Sequence, residues 1–415
     1  MTGSVPTPLT LDREIRQLPA GHTLEWDGTQ ARAGSYWVPN FCLEVVNEEC
    51  DVNDVREALL DSVEHHFVSD VPVAIFLSGG LDSTALLALA HATGRRNLHT
   101  FSIGLNDKKL DESGLAAKTS MHFGCQHVEW RIQASEAITL AVAFLDSMDM
   151  PSIDGFNSFL VSQLTSKHGV KVALSGLGGD ELFGSYGSFQ LIPKLLRLHR
   201  MLDSLPSAGL VIGEILQRFA WQPSHRRLGY FLSHPATSHS AYTAVRGIFT
   251  FAEASHIAKH FGIEKATESL QKSTSSSASA LNIGDEVSRL ELTNYMQNQL
   301  LRDSDIMSMT HGLELRVPFL DRRLFDVLAK IPANNRLSPN KDLLGEAVPE
   351  IPHWIKDQPK RGFVLPYKEW LTQGLGSNIR QALAGVRFTT WYQAWSIYVL
   401  ETFLTKHGFE YSPAH

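Results

Sequence analysis

Apolar positions along the chain switch repeatedly between two periods. Residues 73–77 (VAIFL) form a short unbroken apolar run, the pattern of a strand covered on both faces of a parallel sheet. A glycine turn follows, and from Asp82 the apolar residues Leu86, Leu87 and Ala90 fall at helical spacing. The alternation continues: 98–104 reads as a strand, 111–124 as a helix with a glycine stop, 127–132 as a strand, 135–146 and 154–168 as helices, and 170–176 as another buried strand. Upstream, Val55, Leu59, Val63 and Phe67 mark an amphipathic helix. Residues 1–48 hold a Pro19-Ala20-Gly21 turn and short alternating segments, a strand pair or arm too small to fold alone. Beyond about Leu182 the strand signal ends. Residues 190–272 are helical in pattern and broken by prolines, 272–280 is a polar low-complexity loop, and 285–301 returns to helical spacing. The pattern predicts an α/β fold: a doubly wound parallel sheet, binding ligands beyond its carboxyl ends, with a large helical C-terminal half.

Composition narrows the function. With 37 Lys and Arg against 44 Asp and Glu, the net charge of -7 offers no basic footprint for nucleic acid. Cys42, Cys50 and Cys125 are odd in number and lack CxxC spacing, which argues against a disulfide framework and against zinc. No apolar run approaches the ~18 residues of a membrane span, and the N-terminal stretch lacks the charged start and apolar core of a secretory signal. These features predict a cytoplasmic protein with neither a nucleic-acid nor a membrane partner.

Candidate chemistry sits in the turns after the buried strands. In SGGLDS (78–83), Gly79 and Gly80 let a ligand approach the backbone. The free N–H groups of the helix start, with the Ser78 and Ser83 hydroxyls, suit an anion. Asp82 would repel phosphates unless a divalent cation lay between them, so it is read as a Mg²⁺ ligand. The loop lacks the lysine of a Walker A motif. SGLGGDELFGSY (175–186) leaves another strand through a glycine turn and again presents acids. If the two strands are neighbours, Asp180 reaches the same sheet edge as Asp82, and two carboxylates hold Mg²⁺ while phosphates complete its shell. Helix capping by Asp180 and Glu181 is the plainer alternative.

These two motifs, MSMTHGLELRVPFLD (307–321) and PKRGF (359–363) follow the order and rough spacing of the asparagine-synthetase family's synthetase domain, which the chain resembles from about Asp51 to Trp370. LPAGHTLEW and the SYW after it resemble the tail of that family's glutaminase domain. The resemblance divides the chain into an arm, 1–48, and an ATP-pyrophosphatase domain of the PP-loop type, 49–415. It implies AMP-forming amide synthesis, in which ATP adenylates a carboxylate and an amine displaces AMP. Carried over by position, Leu77, Ser78, Gly79, Gly80, Asp82, Ser83, Ser102, Ile103, Ser175 and Gly176 would bind ATP, with adenine contacted through backbone at 100–104. Asp82 and Asp180 would hold Mg²⁺. Lys360 would lie near the reacting phosphate, and Lys341 on the pyrophosphate side. Asp305, Glu314, Arg316 and Asp321 are expected to form a structural ion-pair set, and His311 to be a satisfied interface histidine.

Three departures redirect the substrate reading. Thr2 follows Met1 where the glutaminase domain carries its cysteine nucleophile, and only ~50 residues precede the synthetase region, too few for an independent domain. Nitrogen is then expected from free ammonia, a separate glutaminase subunit or an amine-bearing substrate. Leu177 stands where asparagine-forming members carry a glutamate and a lactam-forming relative a tyrosine, and leucine accepts no proton. Ile306 and Gly345 stand where arginines are common. The leading expectation is an amide synthetase acting on a small-molecule or peptide carboxylate. Asparagine synthesis with a partner glutaminase, a lactam- or macrolactam-forming cyclase, and a degenerate ATP-binding scaffold are the alternatives. Oligomeric state is left open.

Overall fold

The computed structural model describes residues 1–12, 14–41, 51–107, 110–205, 207–263, 281–358 and 388–408. An antiparallel hairpin, β1 (His22–Trp26) and β2 (Ala31–Ser35), comes first. The centre is a five-stranded parallel sheet of β3 (Val73–Phe76), β4 (His99–Leu105), β5 (Gln126–Ile132), β6 (Val172–Leu174) and β7 (Glu314–Arg316), in the spatial order β5-β4-β3-β6-β7. The hydrophobic runs predicted β3 to β6. β7 was not predicted, because its Glu-Leu-Arg offers one apolar residue and pairs only at the sheet edge.

Side chains alternate across the sheet into two cores. Ile75, Leu77 and Leu174 pack with α1 (Val52–His66), α2 (Leu81–Ala92) and the helices Arg322–Leu328 and Asp342–Ala347. Ala74, Phe101, Ile103 and Ala173 face the other way, where Phe144, Phe156, Phe159 and Met307 come from α4 (Ala134–Asp146), α5 (Phe156–Lys167) and the helix Arg302–Met309, with Trp395 from Trp391–Lys406. Both faces are therefore covered, as doubly wound predicts. The helix α3 (Ser113–His122) connects β4 to β5.

After β6 come α6 (Gly179–Phe183), α7 (Ser188–Asp203), α8 (Ala208–Phe219), α9 (Pro223–Leu232), α10 (Ser238–Arg246) and α11 (Phe251–His260). Their own core gathers Ile192, Phe231, Leu232, Tyr242, Val287 and Leu290. Ile283–Leu290 runs through a wide π-helical stretch, Glu291–Leu301, into Arg302–Met309. Residues 1–7 lie against this body: the Met1 and Gly3 carbonyls accept from Ile248 and Ile153 N–H, and Thr7 N–H donates to Asn298 Oδ1. Among the described residues no helix is long and apolar enough to cross a membrane.

Candidate active site

In this sheet order the chain runs outward from β3 through β4 to β5, then returns to place β6 on the other side of β3. The crevice between β3 and β6 is the topological switch point, where open α/β sheets bind ligands beyond the strands' carboxyl ends. SGGLDS leaves β3 and SGLGGDE leaves β6 at this crevice.

The first loop is tied by its own hydroxyls. Ser78 N–H donates to Ser83 Oγ at 3.2 Å, the two hydroxyls lie 3.1 Å apart, Ser83 donates to the Gly80 carbonyl, and Gly80 N–H donates to Ser78 Oγ. Gly79 takes φ +81, and a Cβ there would sit 2.9 Å from Leu115 Cβ. The second loop is fitted to the first by missing side chains. A Cβ on Gly176 would lie 3.0 Å from the Asp82 backbone, and one on Gly179 would lie 2.4 Å from Asp82 Oδ1. Gly178, at φ +102, starts α6, and Asp180 and Glu181 occupy its first turn.

Lys341 joins the two loops. Its Nζ lies 2.5 Å from Asp82 Oδ2 and 2.5 Å from Asp180 Oδ1, and Ser185 Oγ also donates to Asp180. The lysine is 4% exposed and sits at φ 56, ψ 49, a left-handed conformation costly for a non-glycine residue. Burial opposes its charge, but Asp82 and Asp180 outweigh that and raise its pKa above the ordinary lysine value. Packing delivers it there: Ser338 N–H donates to the Phe183 carbonyl, Asp342 N–H to Ser338 Oγ, and the buried Arg336, paired with Asp285 at 2.6 Å, donates to the Leu182 carbonyl.

The arrangement fits a divalent cation. One ammonium touching both carboxylates shows that a single cation reaches both, with remaining ligands left to phosphate and water oxygens. Among the described residues no cluster of three or more His, Cys, Asp or Glu suits a metal.

The other predicted residues divide clearly. Leu77 is buried in the core and donates its N–H to the Phe101 carbonyl. Ser102 Oγ lies 3.1 Å from His127 Nε2, and Ile103 is buried in the core, so both side chains are committed elsewhere. Ser175 N–H donates to the Arg316 carbonyl of β7. Lys360 lies outside the described residues, as do Cys42 and Cys50. The expected ion-pair set is smaller than predicted: Arg316 pairs with Glu314 at 2.7 Å and donates to the His66 and Val68 carbonyls, whereas Asp321 caps the helix Arg322–Leu328 through the Arg323 and Leu324 N–H groups. His311 is an interface histidine: its ring packs 4.6 Å from Phe159 and hydrogen-bonds to the Phe159 backbone, while burial lowers its pKa.

The burial of Glu181 and a second aspartate pair are not read from the sequence. Glu181, beside Asp180, is fully buried; desolvation, with the Asp180 charge behind it, pushes its pKa up to about 8, and Tyr186 OH donates to it at 2.8 Å. A second aspartate pair lies near the π-helical stretch, Asp303 buried and Asp154 part-buried. Desolvation raises both; Asp154 accepts from Gly155 N–H and Tyr295 OH, and Asp303 from Ser152 Oγ at 2.6 Å.

Parallel strand order, a tied glycine loop at the switch point and an aspartate from each flanking loop define a PP-loop type of nucleotide domain. The asparagine synthase family model matches residues 54–396, and the chain belongs to that family. It is 29% identical over 387 residues to asparagine synthetase [glutamine-hydrolyzing] 1 of Bacillus subtilis, covering 91% of this chain and 60% of that protein. Asparagine synthetase B of Escherichia coli is 31% identical over 205 residues, covering 45% and 36% of the two chains, and amidase chyE of Penicillium rubens is 23% identical over 418 residues, covering 88% and 60%. The chain thus spans 60% of the length of the Bacillus relative.

Proposed function

We propose that the chain is an ATP-dependent, AMP-forming amide synthetase, a ligase that makes C–N bonds. The observation that carries this reading is the convergence of Asp82 and Asp180 on one cation at the switch point. A substrate carboxylate oxygen attacks the α-phosphorus of ATP, the bond to the bridging oxygen breaks, and pyrophosphate leaves with the electron pair. An amine then attacks the acyl carbon, loses a proton and expels AMP.

Bound Mg²⁺ would be held by Asp82 and Asp180 and would supply positive charge against the triphosphate. The chain's own groups do the rest. The Ser78 and Ser83 hydroxyls hold the loop in shape, and the first backbone N–H groups of α2 would meet the leaving pyrophosphate. Lys341 brings a permanent charge to the same place, and Lys360 is assigned by sequence position to the reacting phosphate.

Leu177 offers no proton acceptor where the amine is expected, which favours an acceptor other than the aspartate of asparagine synthesis. The relatives' names include glutamine hydrolysis, so ammonia from a glutaminase unit remains the rival nitrogen source. ATP–pyrophosphate exchange with a panel of amino acids, small acids and peptides tests the reading. Exchange stimulated by one acid class supports it; ATP binding without exchange for any acid would make the chain a scaffold.

A further inference from the structure

The turn that ends α6 holds a strained residue besides Lys341. Gly184 closes the helix at φ 90, donating its N–H to the Asp180 carbonyl, and Ser185 follows at φ 106. Glycine takes such values freely, whereas serine does so at a cost. The reversal folds two side chains back onto the acids of the helix's first turn. Ser185 Oγ donates to Asp180 Oδ1 and Tyr186 OH to Glu181 Oε1, each reaching five residues back.

Packing leaves the strain no outlet. A Cβ on Gly184 would lie 2.9 Å from the Ser338 carbonyl oxygen and 3.0 Å from its nitrogen, so the turn is pressed against the segment that delivers Lys341. Glycines stand at both ends of α6, Gly178 at φ 102 and Gly184 at φ 90, where side chains would collide with Leu320 and Ser338. At 185 the chain instead keeps a hydroxyl on a backbone better suited to glycine, and that hydroxyl meets a carboxylate assigned to the cation. Conformations of this kind persist where the surroundings hold them, and they cluster at functional sites. A group that hydrogen-bonds a metal's ligand fixes that ligand's orientation.

We propose that Ser185 is a positioning residue, its hydroxyl holding the Asp180 carboxylate in the orientation that receives Mg²⁺; the inference rests on the metal role proposed for Asp180. Two substitutions separate this from a role in the turn alone. Ser185→Ala keeps the strained backbone and loses the hydroxyl, and Ser185→Gly loses both. Thermal unfolding of the full chain should therefore give the Gly variant a higher Tm than the Ala variant. Metal binding should not follow that order. Calorimetric titration with the Mg²⁺ complex of α,β-methylene-ATP should give a Kd raised about tenfold in both variants, while the metal-free analogue, titrated in EDTA, binds them as it binds the wild type. If Ser185 only shaped the turn, the Gly variant would bind the Mg²⁺ complex as the wild type does, and that result would overturn the proposal. So would an equal loss for the metal-free analogue, or a Gly variant no more stable than the Ala variant. A wild type indifferent to Mg²⁺ would overturn it together with the metal role of Asp180. The expected binding in a chain that shows no ATP–pyrophosphate exchange would remove adenylation alone and leave Ser185 its role.

Discussion

Two pairs of aspartates in this molecule meet opposite fates. Asp82 and Asp180 converge on Lys341, whose ammonium keeps its proton because both carboxylates face it. Asp154 and Asp303 are packed together, with Gly155 so close that a Cβ on it would lie 2.9 Å from Asp303 Cβ. Desolvation raises their pKa values, and for Asp303 the neighbouring Asp154 adds to the rise, while Arg302 opposes it only weakly as it turns to Asp149. One carboxylate pair is thus matched by a cation, while desolvation of the other favours its protonated form. The first pair lines the candidate site; the second is tied down by hydrogen bonds from Gly155, Tyr295 and Ser152.

The contrast breaks most sharply at the cationic pair. Asp82→Asn and Asp180→Asn should each reduce ATP–pyrophosphate exchange by about a thousandfold or more, since the site loses half of its metal-binding charge, while circular dichroism shows the fold intact. Near-normal exchange in either variant would remove that residue from the metal site. Gly179→Ala comes next: its Cβ would meet Asp82 Oδ1 at 2.4 Å, and exchange should fall about a hundredfold because the carboxylate is displaced rather than lost.

Lys341→Met leaves two carboxylates facing each other without their ammonium. Without metal, thermal unfolding should show a loss of about 3 kcal/mol, and added Mg²⁺ should raise Tm more than it does in the wild type. A wild-type response to Mg²⁺ would mean that the lysine and the metal do not share the cradle. Asp303→Asn should be the mildest. An acid whose folded pKa is raised binds more protons folded than unfolded, so its contribution to stability is full below the unfolded carboxylate pKa and declines as pH rises toward the folded value. Asn removes that decline, so urea titrations should show equal stability near pH 4 and a more stable variant at pH 8, with exchange unchanged.

What the sequence discloses depends on how local the determinant is. SGGLDS and SGLGGDE are legible because strand, glycine turn and acid are contiguous, and the strand order then fulfils the condition that their strands be neighbours. Gly179 shows no such signal: its value is a steric gap opposite Asp82, a residue on another loop. Lys341 was assigned by resemblance alone, since nothing in NKDLL announces a left-handed backbone or a buried ammonium. The Asp154 and Asp303 pair is silent for the same reason, because burial is a property of the packed chain. β7 escaped detection because three residues with one apolar side chain carry no periodicity.

The Lys341–Asp82 contact spans 259 residues of chain. A ribosome makes the SGGLDS loop early and its carboxylate must wait, through the sheet and the whole helical half, for the ammonium that faces it. A chain stopped before residue 341 would hold the loop, the glycines and both aspartates yet lack the charge that joins them. Contacts of such long range form late and are lost together. On the proposed function, adenylation would require a chain finished beyond residue 341.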